Sequence, residues 1–590
     1  MVHISENSHK LELHTTIVSD LQQLLFLADT NDRVYLLIFP PERTDQDAAN
    51  SQIEYQKISE FCNLLSEHST VCILTTPPDA ARLQTYIEKF VNLKLWVAIK
   101  CPVKVSICQG KLPEHHLALL IFTRYKGALK HCKTRIKYTY CPSCGKTTKD
   151  YGGKKHLYHA FGTLMSDVWR DIEFNPYVEI EPLVNRLQDI FGIRLYEEIK
   201  IIDFTQCNSL ASQYTNYARS ENKSLELTHI PESQLIQGDC LEILRAIPDN
   251  SIDFCFADPP YNLKKTYQGY NDEIELIEYF AWCDRWLSEL ARILKPGRTC
   301  AILNIPLRAI RHYQHLCSVL NYQSWIVWEA LGLPVRMVMP AHYSILCFSK
   351  GSSRHLPGLS FTSHRNIEEN SLLPLAEFFC NRQSCISNRR HNNFYDRKYL
   401  TDIWYDIHRL KHNSRRVDHP CQLPPLLMQR LISLFTLPNE VILDCFNGSG
   451  TSTLTAQQLN RRFIGIELSQ QYHDLAMERH RQLTQGQDPF GKQTATPEAK
   501  NSRVQRIPKQ KYEVTKKQLQ LEVKRIAEEL GRLPTRAEVE ILSSNPIDYF
   551  DKYFINWGEA CAAARTTGMS EFPLTYENDP LQLEIDFNTN

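Results

Sequence analysis

The 590-residue chain contains no apolar run near the roughly 18–20 residues that a membrane-spanning helix needs. Its opening, MVHISENSHK, lacks the basic-then-apolar layout of an export signal. Net charge is missing too: 67 Lys and Arg stand against 67 Asp and Glu. The first absence excludes a membrane-embedded chain and the second argues against export, so the expectation is a cytoplasmic protein. The third excludes a uniformly basic surface, so any nucleic-acid contact must come from local basic clusters. Cysteine is not scarce. Nineteen cysteines without an export signal read as reduced thiols or metal ligands rather than a disulfide framework.

A composition 43% hydrophobic and 23% charged is that of a core-forming chain, and its length suits three or four domains. Polar, aperiodic stretches at 217–234 and 483–511 read as linkers, because they hold too few large apolar residues to order themselves. Between them, short apolar runs alternate with helical patterns: VYLLIF (34–39), VCILTT (71–76), LALLIF (117–122), DFCFA (253–257), AILNI (301–305), SILCF (344–348), VILDCF (441–446) and FIGIE (463–467). Continuous apolar strands separated by amphipathic helices predict an α/β, mostly parallel sheet covered on both faces.

The pattern occurs twice. TVCILTTP (70–77) aligns on TCAILNIP (299–306), and His116-LALLIFTRYKG on His342-YSILCFSKG. SDVWRDI (166–172) aligns on TDIWYDI (401–407), and NPYVEIEPLVNRLQDIF (175–191) on HPCQLPPLLMQRLISLF (419–435). Four matches in one order predict two copies of one domain, at 28–215 and 234–485.

In the second copy Asp258-Pro259-Pro260-Tyr261 follows the strand SIDFCFA, at the carboxyl end where open α/β sheets place their ligands. The prolines fix the backbone and present an acceptor wall, the Asp258 carboxylate and the Pro259 carbonyl, beside an aromatic ring. VILDCFNGSGTSTLTA (441–456) reads as a strand, a turn containing Gly448 and Gly450, and a helix opening on Thr451 and Ser452. Glycines there allow close backbone approach to a ligand, and the helix start offers free amides. The next strand ends in Glu467, placed to hydrogen-bond ribose hydroxyls as acidic residues do in dinucleotide folds. No Walker-type Gly-Lys-Ser/Thr loop accompanies the turn, which disfavours phosphoryl transfer.

D-P-P-Y, followed by H-P-x-Q and then F-x-G-x-G, resembles the β class of DNA amino-methyltransferases over about 234–485. The resemblance implies a Rossmann-like fold, which the internal repeat makes a duplicated one, and transfer of a methyl group from S-adenosylmethionine to an exocyclic amine of a base flipped out of duplex DNA, without a covalent enzyme intermediate. It implies that Asp258 and the Pro259 carbonyl accept from the target amine, with Pro260 shaping the turn and Tyr261 stacking on the base. It places Asp444, Phe446, Gly448, Gly450, Thr451 and Glu467 along the cofactor, with Asp239 of GDCLEIL near its adenine and His419 and Gln422 of the H-P-x-Q run beside it. Asp in place of Ser at the catalytic tetrapeptide leans toward adenine over cytosine. The chain departs from the family at His419-Pro420-Cys421-Gln422-Leu423-Pro424, where the usual H-P-T-Q-K-P carries a Lys. The Lys that the family uses on the cofactor carboxylate is therefore absent from this run.

The first copy departs further. Phe39-Pro40-Pro41-Glu42 stands where the second has D-P-P-Y, and Asp203-Phe204-Thr205-Gln206-Cys207-Asn208 has no glycine. An inactive half is expected, pairing with the active one so that the monomer is an internal pseudodimer.

From Arg124 to Lys155 ten Lys or Arg stand against Asp150, and from Arg382 to Arg416 nine stand against three Asp. Both runs occupy the same place in their copy, the second within an insert at about 352–418. They predict phosphate contacts, with Lys130, Lys133, Arg135, Lys137, Arg389, Arg390, Arg415 and Arg416 as candidates. The same segments carry Cys141-Pro-Ser-Cys144-Gly and the pair Cys380 and Cys385. Three readings stay open: a structural zinc shared by these four, a local site of Cys141 and Cys144 with Cys132 and His156, or free thiols. After a linker at 486–512, residues 513–567 resemble the homing-endonuclease-associated repeat at Gly531, Arg532, Pro534, Thr535, Phe554, Trp557, Gly558, Ala560 and Ala564, which implies an accessory DNA-binding module. Double-stranded DNA is the expected partner, with a separate restriction endonuclease as a possible companion.

Overall fold

The computed structural model describes residues 15–17, 21–28, 33–39, 48–101, 110–127, 129, 131–132, 134–148, 163–172, 179–193, 199–204, 232–263, 266–267, 270–271, 273–330, 338–357, 372–374, 379–380, 382–392, 397–407, 422–490, 514–554, 557–561 and 564. The first unit carries strands β1 (Thr15–Ile17), β2 (Val34–Ile38), β3 (Thr70–Thr75), β4 (Asn92–Lys100), β5 (His116–Thr123), a small pair β6 (Arg135–Ile136) and β7 (Thr163–Leu164), β8 (Val168–Trp169) and β9 (Ile199–Asp203). Its helices are α1 (Ala48–Leu64), α2 (Pro77–Ile87) and α3 (Glu181–Phe191). The sheet runs β1-β9-β2-β3-β5-β4-β8, and β5 is antiparallel to both of its neighbours while the other pairs are parallel. β2, β3 and β5 are buried along their whole length, as expected of strands covered on both faces.

The second unit comprises β10 (Gln234–Gln237), α4 (Cys240–Ala246), β11 (Ile252–Ala257), the pair β12 (Thr266–Tyr267) and β13 (Tyr270–Asn271), α5 (Leu276–Ile293), β14 (Leu294–Asn304), α6 (Pro306–Leu316), β15 (Asn321–Glu329) and β16 (His342–Ser349). Next come β17 (Leu372–Pro374), α7 (Gln383–His391), β18 (Arg397–Tyr399), β19 (Ile403–Trp404), α8 (Pro425–Phe435), β20 (Val441–Asp444), α9 (Thr451–Gln458), β21 (Arg462–Glu467) and α10 (Gln470–Thr484). Its sheet runs β10-β21-β20-β11-β14-β16-β15-β19. From β20 to β19 this repeats, strand for strand, the order from β9 to β8, with β16 reversed as β5 is. The order differs at the other end: β1 lies beside β9, whereas β21 and then β10 lie beside β20.

Side chains repeat with the strands. The Trp169 indole donates to the Ser166 carbonyl at 2.8 Å, as the Trp404 indole does to that of Thr401. Arg186 pairs with Asp171 and lies over Trp169, just as Arg430 pairs with Asp406 and lies over Trp404. One difference bears on function. Phe39 and Phe204, at the carboxyl ends of β2 and β9, are buried and stack with centroids 4.8 Å apart.

The units meet through reciprocal contacts. Trp96 of β4 stacks on Trp325 of β15 at 4.9 Å. Asp402 accepts from the His115 amide at 2.8 Å and lies 2.6 Å from His116 Nδ1, while Asp167 accepts from the Ala341 and His342 amides. The Asp402 amide donates to the Pro113 carbonyl and the Asp167 amide to that of Met339. Arg170 adds an ion pair to Glu329 at 2.5 Å.

Burial pushes the Asp167 carboxyl up to about 7, although the Ala341 and His342 amides pull the other way. Between its ordinary value near 4 and about 7, folded Asp167 holds a proton that the unfolded chain does not. Stability therefore falls as pH rises through that window, by up to about 1.4 kcal/mol per unit, and the contribution is flat outside it. Asp167→Asn keeps an acceptor for both amides and is expected to flatten this slope. Melting curves from pH 4 to 8 check it, and identical slopes for the two proteins would refute it.

The carboxyl-terminal unit has its own core around Leu519, Val523, Ile526, Val539, Phe550 and Phe554. It consists of α11 (Lys516–Leu530), α12 (Arg536–Leu542), α13 (Ile547–Tyr553) and the short α14 (Trp557–Ala560). Thr515 with Gln518 and Thr535 with Glu538 form reciprocal caps at the first two helices, and Gly531 ends α11 in the left-handed region. The Trp557 indole donates to the Pro534 carbonyl at 2.9 Å, tying together two positions of the repeat pattern. No helix among the described residues is long and apolar enough to cross a membrane.

Candidate active site

At the carboxyl ends of β11, β20 and β21 a single cleft is lined by Asp239, Asp258, Pro259, Pro260, Tyr261, Trp282, Gln422, Asp444, Phe446, Gly448, Thr451 and Glu467. Adjacent parallel strands place these residues together, because β11 pairs with β20, and β20 with β21. Gly450 stands just behind, at the start of α9. His419 falls outside the described residues.

The tetrapeptide is held from several sides. The Tyr261 hydroxyl donates to Asp258 Oδ1 at 2.7 Å, and the Tyr279 hydroxyl of α5 donates to the Pro260 carbonyl at 2.8 Å. Tyr261 is nearly buried, its ring 6.4 Å from that of Tyr343. It therefore orients the carboxylate as well as offering a ring.

The Gly-rich turn is shaped by its own acids. Asp444 accepts from the Phe446 amide at 2.9 Å and from the Ser452 hydroxyl, bracing the turn from below. Burial pushes its carboxyl up to about 6, opposed by those donors and reinforced by the charge of Glu467. Glu467 accepts from the Gly448 amide and from the Ser469 amide, each at 2.8 Å. Burial raises its carboxyl too, while these amides pull it down. Asp239 caps α4 by accepting from the Leu241 and Glu242 amides, a capping signal readable in its D-C-L-E run. All three acids thus brace backbone while lining the cleft, and a carboxylate has lone pairs for a ligand as well.

Two glycines are required by geometry. Gly450 has φ +83°, and a Cβ there would lie 3.0 Å from that of Ala476. A Cβ on Gly465 would come within 2.9 Å of Leu235 and Asn447, so only glycine lets β21 pass under the turn. Phe446 sits edge-on against Trp282 and Trp286. Thr451 Oγ1 is sealed from solvent without a hydrogen-bond partner among the described residues. A buried hydroxyl left in that state on a cleft wall suits a polar ligand.

Trp282, Asn447 and Tyr472 also line the cleft, and sequence reasoning did not single them out. Trp282 sits within the amphipathic pattern of α5, where an aromatic reads as core. Leu423, at the position where H-P-T-Q-K-P has its Lys, presents an apolar side chain to the cleft.

Residues 252–478 match the DNA methylase family, and residues 514–564 match the homing endonuclease associated repeat. The chain is 32% identical over 300 residues to the type II methyltransferase M.BamHI of Bacillus amyloliquefaciens, covering 49% of this chain and 67% of that protein. It is 29% identical over 257 residues to M.HpaI of Haemophilus parainfluenzae, covering 42% and 74%. A Thermus thermophilus protein solved with S-adenosyl-L-methionine is 24% identical over 42% of this chain and 92% of its own, with a TM-score of 0.29.

The chain belongs to the DNA methylase family. It is an S-adenosylmethionine-dependent DNA amino-methyltransferase, acting on an exocyclic amine of adenine or cytosine. For such a methyltransferase the residues present fit the cofactor: a glycine turn, a buried carboxylate bracing it and an unsatisfied Thr451 hydroxyl face one cleft.

The basic candidates divide. Lys137 and Arg390 are exposed. Arg135 is half-buried, with Nε sealed from solvent, and burial pulls its pKa down to about 10. Arg389 is a correction. It is 4% exposed, donates to Cys385 Sγ and to the Cys380 carbonyl, and covers the Phe379 ring, so its charge is turned inward and away from phosphates. Lys130, Lys133, Arg415 and Arg416 lie outside the described residues, as does His156.

Proposed function

We propose that this methyltransferase modifies the exocyclic amine of adenine, flipped out of duplex DNA, with the second unit performing the chemistry. The observation that carries the choice of base is Asp258, a carboxylate held at the β11 end by the Tyr261 hydroxyl. An aromatic amine is a poor nucleophile because its lone pair is delocalised into the ring. Acceptors on its two hydrogens, the Asp258 carboxylate and the Pro259 carbonyl, favour a pyramidal nitrogen and stabilise the positive charge that develops there. S-adenosylmethionine, when bound, supplies an electrophilic methyl group. The turn from Phe446 to Thr451 and the carboxylate of Glu467 would hold it in the cleft that Asp258 and Tyr261 also line. Trp282, edge-on to Phe446, narrows the wall on that side.

The first unit is, on this reading, a silent copy. The Phe39–Phe204 stack closes the gap between strand ends where the second unit has its cleft. Repeated side-chain contacts and reciprocal docking support an internal pseudodimer in one chain, in which the silent half extends the DNA surface through exposed residues such as Lys137. The carboxyl-terminal unit adds a further DNA contact, and a separate restriction endonuclease accompanies the enzyme as in a type II system.

The test is expression in a host free of DNA methylation, followed by mass spectrometry of nucleosides from hydrolysed genomic DNA. N6-methyladenine is the expected product. Methylation at the cytosine amine would keep the mechanism and overturn the choice of base, and neither product from folded, DNA-binding protein would make the chain a silent DNA-binding relative.

A further inference from the structure

We propose that Cys141, Cys144, Cys380 and Cys385 form a tetrahedral zinc site that clamps the Cys141–Cys144 turn of the first unit to the insert of the second. Their four sulfurs all lie within 4.8 Å of one another. Cys141 Sγ is 3.7 Å from Cys385 Sγ, and Cys144 Sγ is 3.6 Å from Cys380 Sγ. A zinc ion bound by four thiolates at about 2.3 Å has sulfur–sulfur edges of about 3.8 Å, whereas a disulfide needs about 2.05 Å. The spacing matches the first and excludes the second.

The local backbone is that of a metal knuckle. The amides of Cys144 and Gly145 donate to the Cys141 carbonyl, the Cys141 amide donates to the Lys146 carbonyl, and Gly145 turns the chain at φ +63°. Tyr140 and Thr147 form an antiparallel bridge at the base of this turn. Of the partner ligands, Cys380 precedes α7 and Cys385 lies in its first turn, where the Cys385 amide donates to the Arg382 carbonyl.

Two further observations point to metal-bound thiolate rather than four packed thiols. Arg389 is almost fully buried with Nη1 2.9 Å from Cys385 Sγ, and a buried guanidinium against sulfur is stabilised when that sulfur is anionic. Four thiolates on one divalent ion leave a net charge of −2, half of which Arg389 offsets. Second, the apolar cluster here consists of Cys141, Cys380 and Cys385, with Phe379 packed at its edge. Among the described residues that cluster is mostly sulfur, and a shared metal would tie together segments 236 and 244 residues apart at this point. Thiolate ligands in a tetrahedron select zinc over harder divalent ions. Arg382 reinforces the clamp by donating to the Thr147 carbonyl at 2.8 Å.

The site holds in register the two segments that carry the basic runs. That consequence rests on the DNA reading above, whereas metal content does not, so the two are tested separately. Full-length protein purified without added metal is expected to contain close to one zinc per chain by elemental analysis. Cys144→Ser and Cys385→Ser should each lose it, and Cys132→Ser should retain it. Less than about 0.3 zinc per chain in protein that melts cooperatively would overturn the site. So would iron in place of zinc, or zinc that survives Cys385→Ser but is lost in Cys132→Ser, which would place a metal within the first unit alone. Because the serine variants could misfold, unmutated protein is also exchanged with cobalt. Intense thiolate-to-cobalt charge-transfer absorption with tetrahedral ligand-field bands is expected, and its absence would equally overturn the site.

Discussion

Asp258→Ala is expected to slow methyl transfer by about 10²- to 10³-fold while leaving the affinity for S-adenosylmethionine nearly unchanged. The carboxylate acts on charge that appears at the amine nitrogen only as the new bond forms, so its loss raises the barrier more than it weakens ground-state binding. The fold around it should persist. Asp258 is only partly buried at the end of β11, and the Tyr279 bond to the Pro260 carbonyl holds the turn independently. Asp258→Asn keeps an acceptor oxygen without the charge and should fall between the two. Incorporation of labelled methyl groups into duplex DNA reads the rate, and titration calorimetry reads cofactor binding. A rate within tenfold of the native enzyme would show that the Pro259 carbonyl alone suffices. Lost cofactor binding would instead mark Asp258 as part of the cofactor pocket.

The second large effect is expected at the contact between the units. Asp402→Ala removes the acceptor of the His115 amide and the partner of His116 Nδ1, and both His116 and Asp402 are buried. A buried polar group left unpaired costs about 1–3 kcal/mol, so the two together should destabilise the docked form by roughly 2–6 kcal/mol. Asp402→Asn keeps one acceptor oxygen but puts a donor NH2 in place of the other, so it retains one of the two contacts and should cost less than alanine. Denaturant titration measures the loss, and hydrogen exchange in β5 and around residues 401–407 localises it. A change below about 0.5 kcal/mol would mean that these groups are solvated and the units only loosely joined. Methylation by the variant would tell whether the first unit supports catalysis or only DNA binding.

The family was legible because its signals are local. D-P-P-Y, the Gly448–Gly450 turn and Glu467 each declare themselves within a few residues, since prolines, glycines and strand ends act on the backbone beside them. The same locality explains the duplicated pattern: SDVW and TDIW close the same indole-to-carbonyl bond over three residues. The chain's own pattern likewise anticipated the strands at 34–39, 253–257 and 441–446, found here as β2, β11 and β20. It did not reveal that β5 and β16 run antiparallel, because an apolar run carries no direction.

Arg389 shows where local reading fails. In the sequence it is one cation in a basic run, and only the packing of α7 against the cysteines turns it inward. The apolar pattern around Trp282 assigns it to a core, and only the approach of α5 to the turn at Phe446 places it on the cleft. The cysteines make the division plainest. Their spacing was compatible with a shared site, a local site or free thiols. Bringing together residues 236 and 244 apart depends on the two units docking through Trp96 and Trp325, His116 and Asp402. The sequence by itself pointed to the class of reaction, because the motifs that carry the resemblance are short, rigid turns. The tertiary structure decided which charges face solvent, what walls the cleft and which cysteines meet, because those depend on surfaces buried between segments distant in the chain.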